Sequence, residues 1–205
     1  MREMEEDIME KYNSFFAMMS RMKYIERWAL MRNSRPENIS EHCLETAMIA
    51  HALVVISNKK FGNDYDASKA ALIALYHDAS EIITGDMPTP VKYYNDDIKE
   101  AFKNVEDIAG RKLLNMLPDY MQEEYESIFF KDKDEKKLWK FVKAADKLSA
   151  YIKCIEEDNA GNKEFIHAKE SIWKVINEID MPEVRVFIED FLPAYGRSLD
   201  ELCMD

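Results

Sequence analysis

Residues 74–90 carry the densest run of groups able to do chemistry in this chain. His77 and Asp78 stand side by side, Glu81 follows, and Gly85, Asp86, Met87, Pro88, Thr89 and Pro90 make a turn. On a helix, spacings of three and four put side chains on neighbouring positions of one face. Residues 70–75 before them are apolar, which predicts burial. Ionisable groups buried together are costly unless they are paired or hold a cation. Imidazole nitrogen and carboxylate oxygen are donors that a borderline divalent metal accepts. A His-Asp pair also occurs at surfaces by chance, so further ligands must come from elsewhere.

Three other places offer candidates. Residues 26–39 break the helical pattern and hold Arg27, Arg32 and Arg35 in an otherwise acidic chain. Long irregular segments are uncommon unless functional. Arg27 beside Trp28 reads either as a phosphate-binding fork against a flat apolar wall or as a tryptophan anchor with solvated arginines. Ser40 reads as an N-cap, and His42 falls in the first turn of a helix over about 41–60. His51 is nine residues on, about half a turn out of phase. The two histidines therefore face opposite ways, and His42, delivered by the irregular loop, is the better ligand candidate. Asp146 sits beside the apolar stripe Leu138, Phe141, Val142, Ala145, Leu148 and Ile152 of a helix over about 135–158. It is either paired with Lys143 or Lys147, or a ligand.

These residues need elements to hold them. With 205 residues, only 5 Gly and 6 Pro, and abundant Leu, Ala, Glu, Lys and Met, the chain favours helix throughout. The expected helices cover 4–24, 41–60, 67–84 (capped by Asp66 and stopped at Gly85), 92–116, 119–130, 135–158, 163–179 and 182 to the C-terminus. Residues 132–134 are expected to turn. No repeat or low-complexity linker is visible, so one all-α domain over residues 1–205 is expected. A net charge of −12 argues against broad binding to nucleic acid or an anionic membrane. No apolar run reads as long enough to span a membrane, and no signal peptide is seen. Cys43, Cys154 and Cys203 make no disulfide framework, so a reducing cytoplasm is the expected location.

His42, then His77-Asp78, then Asp146, each on its own helix, resembles the HD-domain metallophosphohydrolases. Further runs extend the likeness: Arg27-Trp28, residues 38–42, residues 76–81, residues 84–93, and Asp146 running on to Tyr151 and beyond. Over roughly residues 13–202 these closely resemble the bacterial YfbR-like 5′-deoxynucleotidases.

The resemblance implies a helical HD-domain bundle, a homodimer, with residues 1–12 as an acidic extension of the first helix. The reaction would be hydrolysis of 2′-deoxyribonucleoside 5′-monophosphates, selecting against ribonucleotides. One divalent metal, cobalt or manganese, would be held by His42, His77, Asp78 and Asp146, close to the substrate. Arg27 would orient the phosphate and Trp28 would crowd the ribose 2′ position. Asp86 would meet the 3′-hydroxyl, with Met87, Pro88 and Thr89 lining the sugar, and Glu81 would be the acid/base.

Two-metal phosphodiesterases need more histidines than the four present. A (p)ppGpp-type pyrophosphohydrolase would need a larger cationic pocket than Arg27, Arg32, Arg35 and Lys92 offer. A nucleotide sensor would have no use for Glu81.

Overall fold

Low glycine and proline content lets helices form wherever apolar residues recur at helical spacing. The structure, a computed structural model, describes residues 13–92, 94–131 and 136–203. The helices are α1 (Phe15–Met19), α2 (Ile39–Phe61), α3 (Ala67–Tyr76), α4 (Glu81–Thr84), α5 (Thr89–Lys92) and α6 (Asp96–Leu114). They continue with α7 (Asp119–Phe129), α8 (Leu138–Asn159), α9 (Ile166–Glu178), α10 (Pro182–Asp190) and α11 (Leu199–Leu202). The expected acidic extension at 1–12 and the expected turn at 132–134 lie outside the described residues.

The core of the bundle is α2 packed on α3 and α8, with α9 and α10 closing the far side. Leu53, Val54, Ile73, Ala74, Phe141, Leu148 and Ile152 meet there, almost wholly buried. A second cluster joins Phe15 to Leu113, Leu114 and Leu117 and stacks Phe15, Tyr76, Tyr125 and Phe129. It fastens the N-terminal segment and α6–α7 to the end of α3, next to His77.

Several expected boundaries are corrected. The helix over 4–24 is, within the described residues, α1 followed by a 3₁₀ turn at Ser20–Tyr24. The irregular 26–39 segment contains an antiparallel pair, β1 (Glu26–Arg27) and β2 (Glu37–Asn38), with Arg27 opposite Glu37. The cap of α2 is Asn38, not Ser40. Its side chain accepts from the Glu41 N–H while the Glu41 carboxylate reaches back, a reciprocal capping box. The helix over 67–84 breaks at residues 77–80. The C-terminal helix is three short pieces, with Pro193 in the first turn of a 3₁₀ segment at Leu192–Gly196.

Helix α2 is also long and apolar enough to cross a membrane by length and composition, contrary to expectation. The physical reason lies in the fold. As the central helix it is packed on several sides, so apolar residues recur on more than one face.

Candidate metal and phosphate site

The site forms where the start of α2, the end of α3 and the middle of α8 meet. The capping box fixes the first turn of α2 and directs His42 inward, where it is wholly buried. Its Nδ1 lies 3.1 Å from Ser149 Oγ. Ser149 in turn donates its only proton to Glu45 Oε2, 2.6 Å away. The serine oxygen must then accept from His42, which places the imidazole proton on Nδ1 and leaves Nε2 as a bare lone pair.

The Nδ1 proton of His77 is engaged by another route. Its Nδ1 is 2.7 Å from the Ala74 carbonyl oxygen, which can only accept. The ring therefore takes the acceptor that the Asp78 N–H would use in a continuing α-helix. This explains the break at residues 77–80, where the backbone tightens into i→i−3 bonds such as Glu81 N–H to Asp78 O at 2.9 Å. The tightened turn still leaves Asp78 beside His77.

Four groups converge. His42 Nε2 is 3.2 Å from Asp146 Oδ1 and 3.5 Å from Asp78 Oδ2. His77 Nε2 is 3.1 Å from Asp78 Oδ2. Donor atoms of His42, His77 and Asp146 all lie within 4.8 Å of one another. Both Nε2 atoms are buried without a hydrogen-bond partner. With the Nδ1 protons engaged elsewhere, both Nε2 atoms face carboxylate oxygens, an arrangement that a cation between them would complete. Burial, then nearby Arg27, lowers the His42 pKa, which favours the neutral ring. Burial pushes Asp78 up, but His77 and then His42 hold it down at about 2. Asp146 is held well below the carboxylate range by His42 and Lys147 against its burial. Burial lowers the His77 pKa, but Asp78 and then Cys43 raise it well above its ordinary value, so with no cation bound this ring holds a proton against Asp78. A divalent cation would take that proton's place, leaving two neutral imidazoles and two carboxylates, a donor set of charge −2 that fits such an ion.

Glu81 is buried at the first position of α4, with Oε2 unpartnered. Burial, reinforced by Asp78 and Asp86, raises its carboxyl to about 9. It is a group that keeps a proton at neutral pH. Gly85 follows at φ 73°, ψ 162°, a conformation essentially confined to glycine. This turns the chain so that Asp86 comes back towards Arg27 and Trp28.

Arg27 has its guanidinium Nη1 2.5 Å from Glu37 Oε2. Burial pulls its pKa down, and Glu37, Asp146, Asp78 and Asp86 more than offset that, so it stays charged. Trp28 has φ 60°, the only positive φ outside glycine among the described residues. Left-handed backbone costs a bulky residue roughly 1–3 kcal/mol and persists only where its surroundings hold it. Here the Trp28 N–H bonds the Asp86 carboxylate, its carbonyl accepts from the Met31 N–H at 2.8 Å, and its indole Nε1 donates to Glu37 Oε2 at 2.9 Å. The ring packs on Phe165, with centroids 5.4 Å apart.

Not every candidate joins the site. Met87 and Pro88 are half-buried after Asp86, and Thr89 is exposed at the start of α5. Arg32 pairs with Glu164 and Arg35 with Glu41, both arginines exposed. Lys92 pairs with Glu106 at 2.6 Å. His51 and His167 are exposed. Residues that sequence reasoning missed are Glu37, Glu45 and Ser149. Ser149 falls one turn after Asp146 on the same stripe, a spacing that could have drawn notice. Glu37 gave no such signal.

A family model described as 5′-deoxynucleotidase YfbR-like matches residues 14–195. The chain belongs to the YfbR-like 5′-deoxynucleotidase family. This family member is a hydrolase with an all-α HD fold. It is 48% identical over 187 residues to a 5′-deoxynucleotidase of Shewanella oneidensis, covering 91% of this chain and 96% of that relative. A 5′-deoxynucleotidase of Vibrio parahaemolyticus is 46% identical, over 94% of this chain and 99% of the relative. Among solved structures, an HD-domain phosphohydrolase from Listeria innocua aligns with a TM-score of 0.77 at 25% identity, covering 89% of this chain and 88% of that one. A cyanophage S-2L HD phosphohydrolase, bound to dA and one catalytic Zn2+ ion, shares the fold at 17% identity and a TM-score of 0.61. It covers 89% of this chain and 96% of its own.

Proposed function

We propose that this YfbR-like protein hydrolyses 2′-deoxyribonucleoside 5′-monophosphates to deoxynucleoside and phosphate, uses one divalent metal, and rejects ribonucleotides. The observation that carries the metal is the convergence of two buried Nε2 atoms, neither with a hydrogen-bond partner, on the carboxylates of Asp78 and Asp146. His42, His77, Asp78 and Asp146 hold the ion, cobalt or manganese. When bound, such an ion supplies Lewis-acid stabilisation to charge developing on phosphate oxygen.

The chain's own groups do the rest. Arg27, kept charged by four carboxylates, binds the phosphate dianion and keeps it in line. Glu81 holds a proton at neutral pH and gives it to the leaving 5′-oxygen; a positioned proton carrier contributes about 10²–10⁴-fold. Trp28 stands as a wall where a 2′-hydroxyl would lie, so the ribonucleotide is refused by exclusion. Asp86 receives the 3′-hydroxyl, with residues 87–89 shaping the sugar side.

The (p)ppGpp reading loses ground on one observation. Arg32 and Arg35 are exposed and pair with Glu164 and Glu41, and Lys92 pairs with Glu106. Arg27, although paired with Glu37, is buried beside Asp146, Asp78 and Asp86, so it is the cation that carries the phosphate. An exposed stripe along α2, Leu44, Met48 and Val55, supports a homodimer.

The test is phosphate release from matched deoxy- and ribonucleoside 5′-monophosphates, with metal-stripped protein restored by cobalt, manganese or magnesium. Metal-dependent release from deoxy substrates alone is expected. Release that ignores chelation would remove the metal, and equal rates on both sugars would remove the wall. Trp28→Ala is expected to admit ribonucleotides.

A further inference from the structure

Glu37 is the nearest anion to Arg27, and one of its oxygens does two jobs. Oε2 accepts from Arg27 Nη1 at 2.5 Å and from Trp28 Nε1 at 2.9 Å. The Arg27 and Glu37 side chains are only 11% and 12% exposed, so these bonds are sheltered from water. The register across the short β1–β2 pair sets Glu37 opposite Arg27, with Trp28 next in the chain. Trp28 itself sits in left-handed backbone, and its ring also lies against the Arg27 guanidinium, 5.6 Å from charge centre to centroid. A strained residue with a large side chain needs an external bond to choose one ring orientation.

We propose that Glu37 is a specificity-determining positioning residue, which through one shared oxygen locks the Trp28 wall to the Arg27 phosphate anchor. The inference rests on the proposed role of Trp28 in excluding the 2′-hydroxyl. A phosphate seated on Arg27 thereby fixes where the sugar meets the indole. Discrimination comes from the distance between the two, and Glu37 sets that distance without touching substrate.

The measurement is the ratio of kcat/KM for a deoxyribonucleoside 5′-monophosphate to that for its ribo counterpart. Both are taken on the same preparation, so the fraction of folded enzyme cancels. Glu37→Met keeps length but has no oxygen acceptor, and Glu37→Ala removes the group; each is expected to lower the ratio by roughly 10- to 100-fold. Glu37→Gln keeps an acceptor oxygen and is expected to restore most of it. In a Trp28→Ala background, adding Glu37→Ala is expected to change the ratio no further, because the two act as one unit. A wild type that discriminates while both Glu37→Met and Glu37→Ala keep its ratio overturns the proposal and leaves the Trp28 wall standing. A wild type with no discrimination overturns the wall itself, and the role of Glu37 with it.

Discussion

The candidate metal quartet and the 27–37 arm lie side by side but are held in place by different means. Each member of the quartet grows from a helix or a helix end, and the two imidazoles are oriented by hydrogen bonds to uncharged partners, His42 to Ser149 and His77 to the Ala74 carbonyl, while Asp146 pairs with Lys147. The arm has almost no regular structure of its own. It is tied down by charge. Glu157 on α8 accepts from the Ser34 N–H at 2.8 Å and pairs with buried Lys153 and with Asn162. Lys153 also donates to the Arg35 carbonyl at 2.6 Å. On the proposed reading, chemistry is built on rigid elements, and substrate choice on a loop that an ionic clamp makes rigid.

That difference can be broken one side at a time. The largest effect is expected from Glu81→Ala, with kcat falling about 10²–10⁴-fold. Metal binding by calorimetry and the deoxy-to-ribo ratio should stay as they were. A shift in either would mean that Glu81 shapes the site rather than carrying a proton.

Next comes Glu157→Gln. Removing one partner of a buried pair typically costs about 3–5 kcal/mol. A lower unfolding midpoint in denaturant and a weakened deoxy-to-ribo ratio are expected, with metal affinity intact. The wild type has a matching acid signature. Burial pushes Glu157 up, but bonds from Lys153, Ser34 and Asn162 bring it from its ordinary 4.5 down to about 2. A depressed carboxylate stabilises the fold fully above its unfolded value, and that contribution is lost as pH falls from about 4.5 towards 2. Stability curves against pH should therefore show a steeper acid limb for wild type than for Glu157→Gln.

The smallest expected effect is on the quartet's own support. Ser149→Ala removes the acceptor that fixes the His42 tautomer, and metal affinity should fall roughly 10–100-fold. The deoxy-to-ribo ratio, which on the proposed reading belongs to the arm, should not move. Unchanged affinity would mean that Thr46, whose hydroxyl lies 3.5 Å from the same nitrogen, suffices to hold the ring.

Much of this division was legible beforehand. Buried ionisable residues on apolar helices point to His77, Asp78 and, with an ion pair as the alternative, Asp146; the irregular loop points to His42; the family resemblance joins them, and the helices bring all four together. Opposite facing of His42 and His51 follows from helical period alone, and one is buried while the other is exposed. The break at residues 77–80 was not legible, because it arises from a ring nitrogen competing with a backbone N–H for one carbonyl. Nor was Glu37, whose importance lies in a cross-strand register between two-residue strands that no periodicity announces. The cap was misplaced by two residues because Asn38 and Ser40 are both good cap residues, and only the reciprocal bond of Glu41 distinguishes them.

The His42–Ser149 bond spans 107 residues of chain. No short fragment can carry the donor set, and on the proposed reading an ion recognises only the completed fold. At a hundredfold excess over its dissociation constant, such an ion adds about 2.7 kcal/mol to stability. Scarcity of the metal would then cost more than turnover. Molecules left empty would open more often and meet proteases more often, so the standing amount of this protein would itself follow the metal supply.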